Sequence, residues 1–166
     1  MSDAVNQKRT AIYEDILKLP ENAGGEIIDG ELIISPRPRP QHALAATNLT
    51  RELGPFFGRG GTPGGWWILV EPELHLGGDS NDDVYVPDLS GWRKEKMPKL
   101  PEEAHIKIVP DWVCEILSPS NARVDRVKKV PKYASLGVGH LWLINPKEKN
   151  LDAYRLENHK WVLLQS

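Results

Sequence analysis

The run Pro110-Asp111-Trp112-Val113-Cys114-Glu115-Ile116-Leu117 is apolar at both phases of a two-residue period, with one acid at its centre. A strand of this pattern must be covered on both faces, so the chain has to fold in layers around it. Glu115 is what such a strand tolerates least. An ionised carboxylate there costs several kcal/mol, on the order of a marginal domain's whole reserve, unless a metal ion or a lysine meets it.

The 166 residues fit a single domain spanning 1–166, with 1–8 expected to be flexible. A net charge of −2 excludes a coat protein that relies on widespread positive charge to hold nucleic acid, although local basic patches are allowed. Cys114 is the single cysteine, which excludes an internal disulfide or a cysteine-built zinc site and suits a reducing compartment. Residues 1–10 are polar, and no apolar stretch approaches the roughly 18 residues of a membrane span. The expected location is the cytoplasm, away from membranes.

Helical spacing of Ile12, Ile16 and Leu19 predicts a short helix over 9–19, stopped by Pro20. Two β-prone runs flank Asp29-Gly30 and predict a tight hairpin. Pro36, Pro38 and Pro40 make an extended connector. The next helix is expected to use Leu44, Leu49, Leu53 and Phe56 as its apolar face, followed by a glycine loop over 58–65. The segment 66–76 alternates as one half-buried strand, with Glu71, Glu73 and His75 on its polar side. After a polar turn at 77–83, a strand over 83–89 carries Asp88 at or near its end, and 93–103 is expected to be an exposed loop. Beyond the Glu115 strand, 118–121 offer helix-capping side chains, 122–136 read as a helix kinked at Pro131, 140–145 as a buried strand, and 151–164 as a hairpin. The fold class is α/β (α+β): one mixed central sheet flanked by helices, with an N-terminal helix and hairpin.

Asp88 at a strand end, Glu115 in the next core strand and a lysine-rich helix directly after it form a chemical unit. Two carboxylates on adjacent strands hold Mg²⁺ beside a phosphate, and an ammonium group orients the attacking water or steadies the charge of the transition state. That is the equipment of phosphodiester hydrolysis. The competing account is structural: Asp88 caps a strand, and Glu115 pairs with a lysine.

The residues Pro87-Asp88-Leu89, Pro110 through Ser120, Asp125, Lys129, Tyr133, Gly137-Val138 and Leu141 to Ile144 resemble the Uma-two family, restriction-endonuclease-like proteins of the PD-(D/E)xK nuclease superfamily. Upstream, Ile28-Asp29-Gly30-Glu31-Leu32, Pro36, Pro38, His42 and Glu71-Pro72 extend the likeness, so it runs from about Glu26 to Leu156. It implies a restriction-endonuclease-like core that cleaves DNA with Mg²⁺, Mn²⁺ being an alternative ion, and with Asp88 and Glu115 as ligands. In the wider superfamily a lysine stands two residues after the glutamate; here that residue is Leu117. The resemblance moves its role to Lys129, with Lys128 and Lys132 as neighbours able to substitute. On spacing alone, Lys129 is equally an i,i+4 partner of Asp125, worth about 0.3–0.5 kcal/mol on an exposed helix.

Glu71 is a candidate third ligand or water-orienting base, ahead of Glu26, whereas Glu73 and His75 read as a solvated face. His42 is a candidate phosphate contact or a helix-start residue. Arg123, Arg126, Lys128 and Lys132, with Arg37 and Arg39 on the proline connector, are candidates for tracking a nucleic-acid backbone. Trp112 and Trp142 read as core, and one of Trp66 and Trp67 is available for an interface. A homodimer is expected by analogy with enzymes that cut both strands of a duplex. The alternative, motivated by Leu117 and the net negative charge, is a catalytically inactive nuclease-fold module that binds nucleic acid or a protein partner.

Overall fold

The computed structural model describes residues 9–58, 65–77, 83–119 and 121–166, without the side chains at positions 56 and 58. Residues 1–8, most of the glycine loop, most of the polar turn before Asp83, and Ser120 lie outside the described residues.

The Asp-Gly pair makes the expected hairpin. Strands β1 (Ala23–Ile28) and β2 (Glu31–Pro36) pair antiparallel with Ile28 opposite Glu31. Asp29 and Gly30 both adopt positive φ, 53° and 68°, as a two-residue turn with the right twist demands.

The alternation over 66–76 conceals a break. Strand β3 (Trp66–Val70) belongs to one sheet and β4 (Leu74–Leu76) to another. Glu71 sits at φ 46° and Pro72 offers no N–H, so the ladder cannot continue. The segment 83–89 breaks in the same way. Strand β5 (Asp83–Tyr85) pairs with β1 and β4, whereas β6 (Leu89–Arg93) returns to the first sheet. Asp88 therefore stands just before β6 rather than at the end of a strand. The chain crosses between sheets twice, at 71–73 and at 86–88, and the Glu71 N–H donates to the Asp88 carbonyl at 3.0 Å, tying the crossings together.

The single expected sheet is thus two. The four-stranded sheet has the order β2-β1-β5-β4. The six-stranded one has the order β10-β9-β8-β7-β6-β3, where β7 is Trp112–Ile116, β8 His140–Asn145, β9 Asn150–Glu157 and β10 Lys160–Gln165. It is mixed: β7 runs parallel to β8 and antiparallel to β6. Every residue of β7 is buried, as its apolar pattern requires. Its even positions Trp112, Cys114 and Ile116 pack with Ala45, Ala46, Leu49 and Leu53 of helix α2 (Pro40–Leu53). Val113, two residues before Glu115, packs in the other core with Tyr133, Val138 and Leu141. Leu44 leaves the expected helix face and is exposed, its place being taken by the alanines.

Helix α1 covers only Tyr13–Leu17. The helix over 122–136 is composite: α3 (Ala122–Val124), a π-helical turn (Asp125–Lys129) and α4 (Val130–Leu136), with Pro131 in the first turn of α4. Asn121 does not cap it; its Oδ1 accepts from the N–H and hydroxyl of Ser118 instead. The segment 93–103 lacks regular structure as expected, but Met97 is buried and its carbonyl accepts from the Trp67 indole at 2.9 Å. No helix among the described residues is long and apolar enough to cross a membrane.

Candidate active site

The two crossings, β1, β7 and the π-helical turn face a cleft of about 800 Å³ whose walls include Glu26, His42, Glu71, Asp88, Glu115, Asp125 and Lys129. Lys129 is at its centre. Its ammonium lies 2.8 Å from Glu115 Oε1, 3.0 Å from Glu26 Oε1 and 3.7 Å from Asp125 Oδ1. The π-helical turn brings Asp125 and Lys129 to the same inner side, and both side chains are 3% exposed. One turn further on, Tyr133 donates its hydroxyl to Glu115 Oε1 at 2.6 Å. Glu26 Oε1 also accepts the Val86 N–H at 2.7 Å.

Asp88 is tied both to β7 and to α2. Its Oδ2 accepts the Ile116 N–H at 2.6 Å, and its Oδ1 lies 3.0 Å from His42 Nε2. The hydrogen bond to Asp88 raises the His42 pKa above its ordinary value, against the opposing effect of burial. Glu71 lines the same cleft but is exposed, above the deeper Glu26.

Burial raises the Glu115 carboxyl well above the usual carboxylate range; Lys129 opposes this, while Asp125, Asp88 and Glu26 reinforce it. Burial also pushes Asp125 up to about 6. Burial alone would lower the Lys129 ammonium, but Glu115, Tyr133, Glu26 and Asp125 together hold it well above its ordinary value. Lys129 is therefore a cation, and three carboxyl groups, those of Glu115, Glu26 and Asp125, share its one buried ammonium.

This excess of negative charge is what a divalent cation relieves, and oxygen-only donors suit Mg²⁺. Asp125 Oδ2 is buried with no hydrogen-bond partner, an unused lone pair facing the same charge cluster. The residues fit a hard divalent ion on those two grounds. The fit is one of charge rather than of a gathered cage. Among the described residues, the trio with ligand atoms all within 4.8 Å of one another lies elsewhere, at Glu73, His75 and His105.

The structure thus brings Asp88, Glu115, Lys129 and Glu71 to one cleft, and Leu117 into the core. Arg37 and Arg39 line the cleft mouth, and Arg123 and Arg126 are exposed. Lys128 and Lys132 point elsewhere: Lys128 pairs with Glu31 at 2.6 Å, and Lys132 with Asp29 and Asp83. Neither takes the place of Lys129. Asp125 and Tyr133 also belong to this cluster and are not among the sequence candidates. Their signal is the four-residue spacing Asp125, Lys129, Tyr133, which sets three polar side chains on one helical face. Trp66 and Trp67 carry the guanidinium of Arg93 and the ammonium of Lys94 over their rings.

A crystal structure at 1.96 Å of a putative nuclease belonging to DUF820, from Anabaena variabilis, superposes with a TM-score of 0.73 at 24% identity, covering 92% of this chain and 83% of that one. That likeness establishes the nuclease-like fold. No protein among those with curated functions matches the sequence. The family model of Uma2, described as a putative restriction endonuclease, matches residues 13–166, and the chain belongs to that family.

Proposed function

We propose that this protein is a Mg²⁺-dependent endonuclease that hydrolyses DNA phosphodiester bonds, with Mn²⁺ as a substitute ion, acting in the cytoplasm as a homodimer. The observation that carries the reading is the buried Lys129 ammonium in contact with Glu115 and Glu26, in a cleft that also holds Asp88 and Asp125.

Asp88 and Glu115 would hold the ion, with Glu71 and Asp125 as further oxygen donors. Bound there, Mg²⁺ supplies Lewis-acid polarisation of the phosphate and acidifies a coordinated water. The protein's own groups do the rest. Tyr133 and Lys129 fix the Glu115 carboxylate through Oε1, and His42 and the Ile116 N–H fix Asp88. The Lys129 ammonium, kept protonated by its neighbours, offsets the charge that develops on a phosphoryl oxygen. Arg37 and Arg39, which line the cleft, would meet backbone phosphates beside the reacting one.

Supercoiled plasmid is the direct test: wild-type protein nicks it in Mg²⁺ and not in EDTA, and Asp88→Asn and Glu115→Gln abolish nicking while leaving the circular dichroism spectrum intact. Nicking that survives both substitutions ends the proposal.

One observation favours a second reading. Glu115 Oε1 already takes both Lys129 and Tyr133, a set of contacts that holds a buried acid without any metal. A binding module without catalysis would keep this network and show no calorimetric heat with Mg²⁺ or Mn²⁺, whereas the enzyme must bind one of them.

A further inference from the structure

Glu73 and His75 read as a solvated face in the sequence, yet they are only 26% and 10% exposed. Strand β4 is the outer strand of the small sheet, and the segment approaching Ile106 runs along its free edge. Two backbone bonds fix the register, from the His75 N–H to the Ile106 carbonyl at 3.0 Å and from the Ile106 N–H to the Glu73 carbonyl at 2.9 Å. That register sets His105 beside His75, with rings stacked at 4.0 Å and 20°. His75 Nε2 lies 2.8 Å from Glu73 Oε1, and the Tyr13 hydroxyl from α1 donates to the same oxygen at 2.8 Å. None of the three residues lines the acidic cleft.

We propose that Glu73, His75 and His105 form a transition-metal site, separate from the cleft and taking Zn²⁺ in preference to Mg²⁺. One donor atom from each residue already lies within 4.8 Å of the other two. A tetrahedral ion with bonds of about 2.0–2.1 Å holds its donors roughly 3.3 Å apart, so each pair of donors would have to close by at most about 1.5 Å. Two imidazoles and one carboxylate form a three-ligand zinc set that leaves a fourth position for water. These borderline nitrogen donors separate it from the oxygen-only cleft, which suits a hard ion. Tyr13 orients Glu73, and the ion would clasp α1 and the 93–109 segment to the edge of β4.

The test uses the full chain without an affinity tag, titrated with ZnCl₂ by calorimetry and with CoCl₂ by visible absorption. The expected result is one Zn²⁺ per chain and the visible bands of tetrahedral Co²⁺. His105→Phe keeps a ring stacked on His75 but has no donor, and it should weaken Zn²⁺ binding at least tenfold. Tyr13→Phe should weaken it about tenfold. Glu115→Gln should leave it within twofold. No Zn²⁺ binding by the wild type, unchanged affinity in a folded His105→Phe protein, or loss of affinity in Glu115→Gln instead would each overturn the assignment. Should His105→Phe not fold, the Co²⁺ spectrum of the wild type decides: octahedral or absent bands reject the site. None of these readouts depends on DNA cleavage, so the site stands or falls apart from the nuclease reading.

Discussion

Lys128 and Lys129 are adjacent in sequence and have opposite surroundings. The Lys129 side chain is 3% exposed and touches Glu115 and Glu26; that of Lys128 is 34% exposed and pairs with Glu31 on the β1–β2 hairpin. The same division runs along the whole helical segment. Asp125, Lys129 and Tyr133 face inward, while Lys128 and Lys132 clasp the hairpin and β5 from outside. Identical charges thus carry different weight. Inside, water does not screen the contacts, so each one is strong and its loss is costly; outside, solvent and salt reduce each pair to about 0–1 kcal/mol. The inner face sets the state of the cleft, and the outer one only positions the hairpin.

The hardest blow to that contrast is Lys129→Met. Removing the ammonium leaves Glu115 and Glu26 buried and uncompensated, which should cost about 3–5 kcal/mol in urea denaturation. A cost below about 1 kcal/mol would put the two faces on the same footing. Combining Lys129→Met with Glu115→Gln should restore much of the loss, because the stranded charge goes with it. Glu115→Gln alone is expected to separate function from stability. It lowers the negative excess of the cleft, so the fold is retained, while cleavage of plasmid falls by at least about 10²–10³-fold. Tyr133→Phe comes next: it takes one hydrogen bond from a buried carboxylate, and chemical denaturation should register about 1–3 kcal/mol.

Much of the frame was legible, and the reasons differ by element. Asp29-Gly30 announces its hairpin because both residues tolerate positive φ, a purely local matter. The β7 run announces its burial because eight residues carry the pattern without help. The division into two sheets is masked by the alternation over 66–76; Pro72, which has no N–H for a ladder, is its one local sign, and the conformation of Glu71 completes the break. Asp88 and Glu115 could be chosen as a pair from type and position. Lys129 could not be told from a surface i,i+4 partner of Asp125 by spacing, because its burial depends on β1 and β7 closing over it. Sequence puts Glu26 behind Glu71 as a candidate, yet Glu26 is the one in contact with Lys129, and β1's placement beside β5 decides that. The π-helical turn has no local signature beyond Pro131, which cannot donate an N–H into the turn before it.

A pH series sharpens the contrast without any mutation. Asp125, pushed up from 3.8 to about 6, holds in the folded state a proton that the unfolded chain releases. Its contribution to stability is therefore present at low pH and lost as pH rises from about 4 to about 6. Glu115, also raised, acts in the same direction, and His42, raised by Asp88, adds stability below 6.5 that fades as pH passes its folded value. Asp15, lowered by its hydrogen bond to Arg9, works the other way, but that pair is on the surface and screened. Metal-free protein should thus lose on the order of 1 kcal/mol between pH 5 and pH 7. Mg²⁺ competes with those protons, so its stabilisation, followed as a shift in melting temperature, should be larger at pH 8 than at pH 5.

The smallest effect tests the outer face. Lys128→Ala removes an exposed pair with Glu31, and about 0.2–1 kcal/mol should disappear, less in 0.5 M salt than in low salt. Plasmid cleavage should stay within twofold of wild type, because Lys128 Nζ points to the hairpin and Lys129 already occupies the carboxylates. Lys132→Ala is less simple: Lys132 meets Asp29 and Asp83 together, so its loss leaves two acids facing one another across the hairpin and β5. Stability should fall somewhat further than in Lys128→Ala, again with a salt dependence that Lys129→Met lacks. That salt dependence is the sharper criterion, since a cost that persists in high salt would mean that the hairpin clasp is as desolvated as the cleft and that exposure does not divide the two faces.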